Sequence, residues 1–124
     1  MNSGLYSRTR AVWLYSLCLA LWPSASTADN PYANNRSVAD EGAVLYASAG
    51  CIPCHGPNAE GAIGPNLVDD KWMKRFSEEM VFRTIQNGRR GTRMVGFKER
   101  LSEDDTWKVV EFLLAKGREL KAQE

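Results

Sequence analysis

The strongest periodicity in the chain lies near its C-terminal end, where Trp107, Val110 and Leu114, joined by Val109 and Leu113, recur at the spacing of one helical face. Ser102 to Asp105 read as a capping box ahead of that face and Gly117 as its stop, which predicts a helix over residues 102–116. A first helix is predicted over 39–49: Val44, Leu45 and Ala49 share helical spacing, Asp40 and Glu41 occupy the opening turn where the positive dipole end favours them, and Gly50 follows. Another is predicted over 77–86, with Ser77 as N-cap, Val81 and Ile85 on one face and Asn87-Gly88 as the stop. Met80, beside Val81, reads as ordinary core packing, and a short helix over 69–75 precedes this element. No stretch alternates apolar and polar residues between hairpin turns, so the expected fold is small and all-α, with three to four helices and connecting loops.

Between the helices the chain is irregular. Gly56, Gly61 and Gly64 with Pro57 and Pro65 are too dense for a regular element and predict a loop. Residues 29–37 are polar, with Pro31, Asn34 and Asn35, and read as a flexible lead-in to a domain over 38–124.

Residues 1–28 read as a cleaved export signal: Arg8 and Arg10, an apolar run from Ala11 to Trp22, then the small residues Ser26-Thr27-Ala28. Pro23 breaks the run before the roughly 17 to 25 residues a membrane span needs, so no transmembrane segment is expected in the mature chain, and the location expected is periplasmic. Cys18 lies inside the run and is expected to leave with it. What remains carries 14 basic and 15 acidic side chains, a balance that gives no reason to expect nucleic-acid binding.

Of the three cysteines, the mature chain keeps Cys51 and Cys54, too few for a disulfide framework. They lie in Cys51-Ile52-Pro53-Cys54-His55, a C-x-x-C-H, the attachment signature of c-type haem. Its spacing puts two thiols on one helical turn, within reach of two vinyl groups, with the next imidazole turned to the iron. Two rival readings are weaker. A structural zinc site needs about four Cys or His ligands and the mature chain has three, all in this motif. A thioredoxin-like pair belongs at the end of a strand in a βαβ pattern, which is missing here. One covalently attached haem c is therefore expected, with His55 as iron ligand, and the porphyrin would enlarge the core of a domain poor in apolar side chains.

His55 is the only histidine, so a second histidine ligand within one chain is ruled out by counting. Of the mature chain's methionines, Met73 reads as a packing residue like Met80. Met94 lies in Gly91-Thr92-Arg93-Met94-Val95-Gly96-Phe97, where glycines let the backbone approach a haem face, and it is the expected sixth ligand. A His/Met haem has no open position for substrate, so an electron carrier is expected rather than an enzyme.

The order and spacing of Gly42 and Tyr46, of Cys51 to His55, of Gly64-Pro65-Asn66-Leu67, of Met94 and of a terminal helix resemble the class I cytochromes c over nearly all of residues 38–116. The resemblance implies that Gly42 lets the first helix cross the last closely against Phe112, and that the Pro65 carbonyl accepts a hydrogen bond from the His55 ring. Residues 66–72 and 84–89 look like the haem domains of bacterial high-affinity cytochrome oxidases and of cytochromes serving quinoprotein alcohol dehydrogenases. Val95 stands where such relatives usually carry proline after the ligand methionine, which keeps open a five-coordinate, ligand-binding haem.

From Lys71 to Arg100 there are nine basic and three acidic residues, with Arg89, Arg90, Arg93, Lys98 and Arg100 around the expected ligand loop. Two readings stand: a docking face for an acidic partner, or solvated loop charge. The expected function is a monomeric periplasmic carrier of single electrons between a redox donor and acceptor, possible partners being a quinoprotein dehydrogenase or a terminal oxidase. The alternative is a tightly bound haem subunit of such a complex.

Overall fold

The computed structural model describes residues 29–124; the expected signal segment, with Cys18, lies outside the described residues. Five helices follow one another: α1 Arg36–Ser48, α2 Ile52–His55, α3 Asp70–Arg75, α4 Glu78–Asn87 and α5 Glu103–Lys121. Among the described residues there is no strand, only an isolated antiparallel bridge between Gly88 and Val95. The fold is all-α, as expected; the helix beyond the expected three to four is α2, the single turn formed by the cysteine motif itself.

Four helices start on a side-chain cap that satisfies an otherwise orphaned N–H, each worth about 1 kcal/mol. Asn35 accepts from the Val38 amide, Asp69 from Trp72, Ser77 from Met80 and Ser102 from Asp105. The Ser102 hydroxyl also donates to the Asp105 carboxylate at 2.8 Å.

α5 is the hub, and α1, α4 and α3 each pack on it. α1 crosses it so closely that a Cβ on Gly42 would lie 2.0 Å from the Lys108 carbonyl oxygen and 3.0 Å from Phe112 Cβ. Beside that crossing the rings of Tyr46 and Phe112 sit 5.1 Å apart. α4 turns Val81 and Ile85 inward, stacks Phe82 on Trp107 at 4.4 Å, and sends the Gln86 amide to the Leu101 carbonyl. Val109, Val110, Phe112 and Leu113 complete a core that lies along α5.

Four expectations need correction. α1 begins at Arg36, not at 39, because Asn35 is the cap, so Asp40 and Glu41 lie beyond the first turn. Gly117 does not stop α5, which runs on to Lys121; a Cβ there would meet Met73 Sδ at 3.2 Å, so the glycine is the seat for the α3 methionine. Residues 30–35 are not a loose lead-in. Asn30 is buried and donates to the Glu111 carboxylate at 3.0 Å, and the Tyr32 hydroxyl donates to Asp104. Met80 is half exposed rather than in the core. Among the described residues no helix is long and apolar enough to cross a membrane.

Candidate functional site

Cys51 is the N-cap residue of α2, Pro53 occupies its first turn, where a missing N–H costs nothing, and Gly56 at φ +80° ends it. The amides of Cys54 and His55 both bond the Cys51 carbonyl, at 3.2 and 3.0 Å, so the motif is one tight turn. Cys51 and Cys54 are free thiols, both half-buried. Burial, helped by the neighbouring Cys54, pushes the Cys51 thiol up to about 11. A thiol redox pair needs the opposite, a depressed pKa that supplies thiolate, so that rival reading is disfavoured. Among the described residues no three His, Cys, Asp or Glu side chains converge to hold a metal ion.

His55 is buried, and its Nδ1 lies 3.0 Å from the Pro65 carbonyl oxygen. A carbonyl only accepts, so Nδ1 is the donor, and in the neutral ring Nε2 is the nitrogen left with a lone pair. The loop that brings Pro65 there is folded around the motif by its own backbone: the Gly61 amide donates to the His55 carbonyl and the Gly64 amide to the Cys54 carbonyl, each at 2.7 Å. A Cβ on Gly64 would sit 3.0 Å from His55 Cε1, and one on Gly61 would sit 2.8 Å from the Asn66 amide nitrogen. Both glycines read in the sequence as loop punctuation; they are close-approach positions that let the loop clasp the imidazole. Only the Gly64-Pro65-Asn66-Leu67 string signalled this. Tyr46 closes the other side, its buried hydroxyl donating to the Gly56 carbonyl at 2.8 Å.

Met94 is held on a separate segment. It is partly buried against the core, in a tight loop closed by the Arg89 amide donating to the Met94 carbonyl at 2.9 Å and by the Gly88–Val95 bridge. The Phe97 amide ties the end of that segment to the Ile85 carbonyl at 2.9 Å. A Cβ on Gly96 would lie 2.7 Å from the Gln86 carbonyl oxygen, so the loop is pressed onto the end of α4. The structure thus brings Cys51, Cys54 and His55 onto one turn and fixes Met94 elsewhere on a short, tied loop.

Two unpaired thiols one turn apart, followed by an imidazole whose Nδ1 is committed to a backbone carbonyl, form a donor set that fits a covalently attached haem. The family model described as cytochrome C oxidase, cbb3-type, subunit III matches residues 37–113. The chain belongs to this cytochrome c family. It is 32% identical over 90 residues to cytochrome c-L of Methylorubrum extorquens, a match that takes in 70% of this chain and 44% of that protein. It is 38% identical over 52 residues to the cbb3-type cytochrome c oxidase subunit CcoP of Cereibacter sphaeroides, 41% of this chain and 18% of the subunit. The chain therefore spans less than half the length of these curated relatives. Crystal structures of the cytochromes cL of Methylophaga aminisulfidivorans and Hyphomicrobium denitrificans each superpose with a TM-score of 0.61, at 26% and 28% identity. They cover 75% and 68% of this chain, and 69% and 50% of their own. As a member of this family, the cytochrome carries haem c as its covalently attached cofactor.

Proposed function

We propose that this cytochrome is a periplasmic carrier of single electrons, with its haem attached through Cys51 and Cys54 and its iron ligated by His55 and Met94. The observation that carries the reading is the His55 imidazole, buried behind the two thiols with Nδ1 committed to the Pro65 carbonyl. That bond fixes the ring's tautomer and orientation and raises the basicity of Nε2 toward a metal. The haem supplies an Fe(III)/Fe(II) couple. Cys51 and Cys54 hold it by thioethers, and the Gly61–Pro65 loop covers the His55 side. Met94 supplies a soft thioether that favours the ferrous state. The ties at Arg89, Gly88 and Phe97 support ligation by Met94 over a five-coordinate haem, because they hold the loop where the proline of relatives is replaced by Val95.

Residues 1–28 act in this reading as a cleaved signal, and the mature chain works as a monomer between a redox donor and an acceptor, with a quinoprotein dehydrogenase or a terminal oxidase as the partner. The test is an absorption spectrum of the purified mature protein, oxidised and reduced. The far-red sulfur-to-iron band of the oxidised form is expected, and is lost in Met94→Ala. If the band is missing and the reduced wild-type protein binds carbon monoxide, the haem is a ligand-binding one instead.

A further inference from the structure

The 14 lysines and arginines of residues 29–124 divide evenly. Seven form ion pairs, and five of those seven lie in α1 or α5. The other seven, Lys71, Arg75, Arg89, Arg90, Arg93, Lys98 and Arg100, are exposed and have no carboxylate partner among the described residues. All fall between 71 and 100, a stretch with nine basic and three acidic side chains; the remainder of 29–124 has five basic and twelve acidic. A nearly neutral molecule is thus strongly segregated, with its uncompensated positive charge on the segment that carries Met94.

Contacts bring these cations together in space as well. The guanidinium carbons of Arg75, on α3, and Arg89, beyond α4, lie 5.6 and 5.9 Å from the centre of the same Phe76 ring. Arg89 is tied to Met94 through its amide, and the Thr92 amide donates to the Arg89 carbonyl at 3.1 Å, so Arg90 and Arg93 share that tight loop. A guanidinium resting on an aromatic ring is held in place without using its N–H donors, which stay free to meet a carboxylate two at a time. Lysines would offer the charge without the fork.

We propose that this face, formed by Arg75, Arg89, Arg90 and Arg93 beside Met94, is the docking surface for a carboxylate-rich face of a redox partner protein. The proposal rests on the electron-carrier reading and adds the site and chemistry of encounter. A protein is favoured over nucleic acid or an anionic membrane because the excess of seven acidic side chains on the rest of residues 29–124 repels any extended polyanion. A compact acidic patch meets only the arginines, and the segregated charge orients its approach.

The experiment is stopped-flow oxidation of the reduced haem protein by hexacyanoferrate(III), an anion, and by tris(phenanthroline)cobalt(III), a cation. Two double variants with the same change in net charge are compared: R90E/R93E on the proposed face and R36E/K121E away from it. R90E/R93E is expected to slow the anionic oxidant by about tenfold at low salt and to speed the cationic one, whereas R36E/K121E stays within about twofold of wild type. Poly-L-glutamate, as the carboxylate probe, is expected to inhibit hexacyanoferrate oxidation of the wild type. That inhibition weakens several-fold in R75K/R89K, which keeps the charge and loses the fork. Equal responses of the two charge variants, or duplex DNA inhibiting as well as poly-L-glutamate, overturn the proposal. A reduced protein that neither oxidant oxidises overturns the carrier reading itself, an outcome distinct from the other two.

Discussion

At the scale of single residues, the close approaches are made by glycines, and each has a calculable consequence. Replacing Gly42 by alanine in mid-helix gains about 1 kcal/mol of helix propensity. Yet its Cβ would fall 2.0 Å from the Lys108 carbonyl oxygen, where backbone rather than a flexible side chain must move. Overpacking of that kind costs about 3 kcal/mol, so Gly42→Ala is expected to destabilise by about 2 kcal/mol net, read as a lowered urea midpoint with unchanged m. An unchanged midpoint would mean that the helices separate freely. How much of this was legible depends on what each residue's signal was. The C-x-x-C-H is legible as a motif from its spacing alone, and the resemblance carried Gly42 and Pro65 to their contacts. Gly117 read as a helix stop, because a glycine after a run of apolar residues looks the same whether it ends a helix or admits a neighbour. Its partner Met73 lies on a different helix, beyond the reach of local pattern. Met80 lies outside the core for a related reason: standing next to Val81 on α4 puts it about 100° round the helix, on the half-exposed side.

At the scale of elements, the caps were the most legible features, since Ser77 and Ser102 act within three residues of themselves. The anchoring of residues 30–35 was not, because it depends on a pairing 81 positions apart. Glu111 is fully buried on α5, accepting from Asn30 on one side and from Arg118, at 2.6 Å, on the other. A glutamate in mid-helix ordinarily reads as a solvated position; here two donors make its burial tolerable. Glu111→Ala leaves the Asn30 amide without its acceptor and strips Arg118 of its carboxylate, so a loss of about 3 kcal/mol is expected in thermal unfolding. Asn30→Ala, which leaves the Glu111–Arg118 pair intact, is expected to cost about 1 kcal/mol. The absorption spectrum of both variants should match wild type, since the hydrogen bonds of this network join Asn30, Tyr32, Glu111 and Arg118 and not the cysteine turn. A smaller effect for Glu111→Ala than for Asn30→Ala would reverse this ranking and identify the ion pair as dispensable.

At the scale of the whole molecule, the packing of helices and the packing of the site are separable. α1, α3 and α4 find their places on α5, through Gly42, Met73 and the Phe82–Trp107 stack. The segments that carry Cys51, Cys54, His55 and Met94 are held differently, by backbone hydrogen bonds from glycine-rich loops, with α2 only one turn long. A domain of this size has a net stability of only about 5 kcal/mol at the low end of the usual range, and ordering one residue's backbone costs about 1 to 2 kcal/mol. Loops 56–67 and 88–96 therefore need more than their own hydrogen bonds to stay in one conformation, and the covalent haem is the group that this family provides. Cys51→Ala/Cys54→Ala, which removes both thiols proposed to attach the haem, is expected to retain most of the far-UV helical signal while losing near-UV ellipticity and sharp thermal unfolding. The reason is that the α1–α5–α4 assembly keeps its contacts, while in the proposed reading the two loops lose the haem they would wrap. If the variant instead keeps its near-UV spectrum and unfolds cooperatively, the helices and loops of this chain are a self-sufficient fold and the haem adds chemistry without adding core.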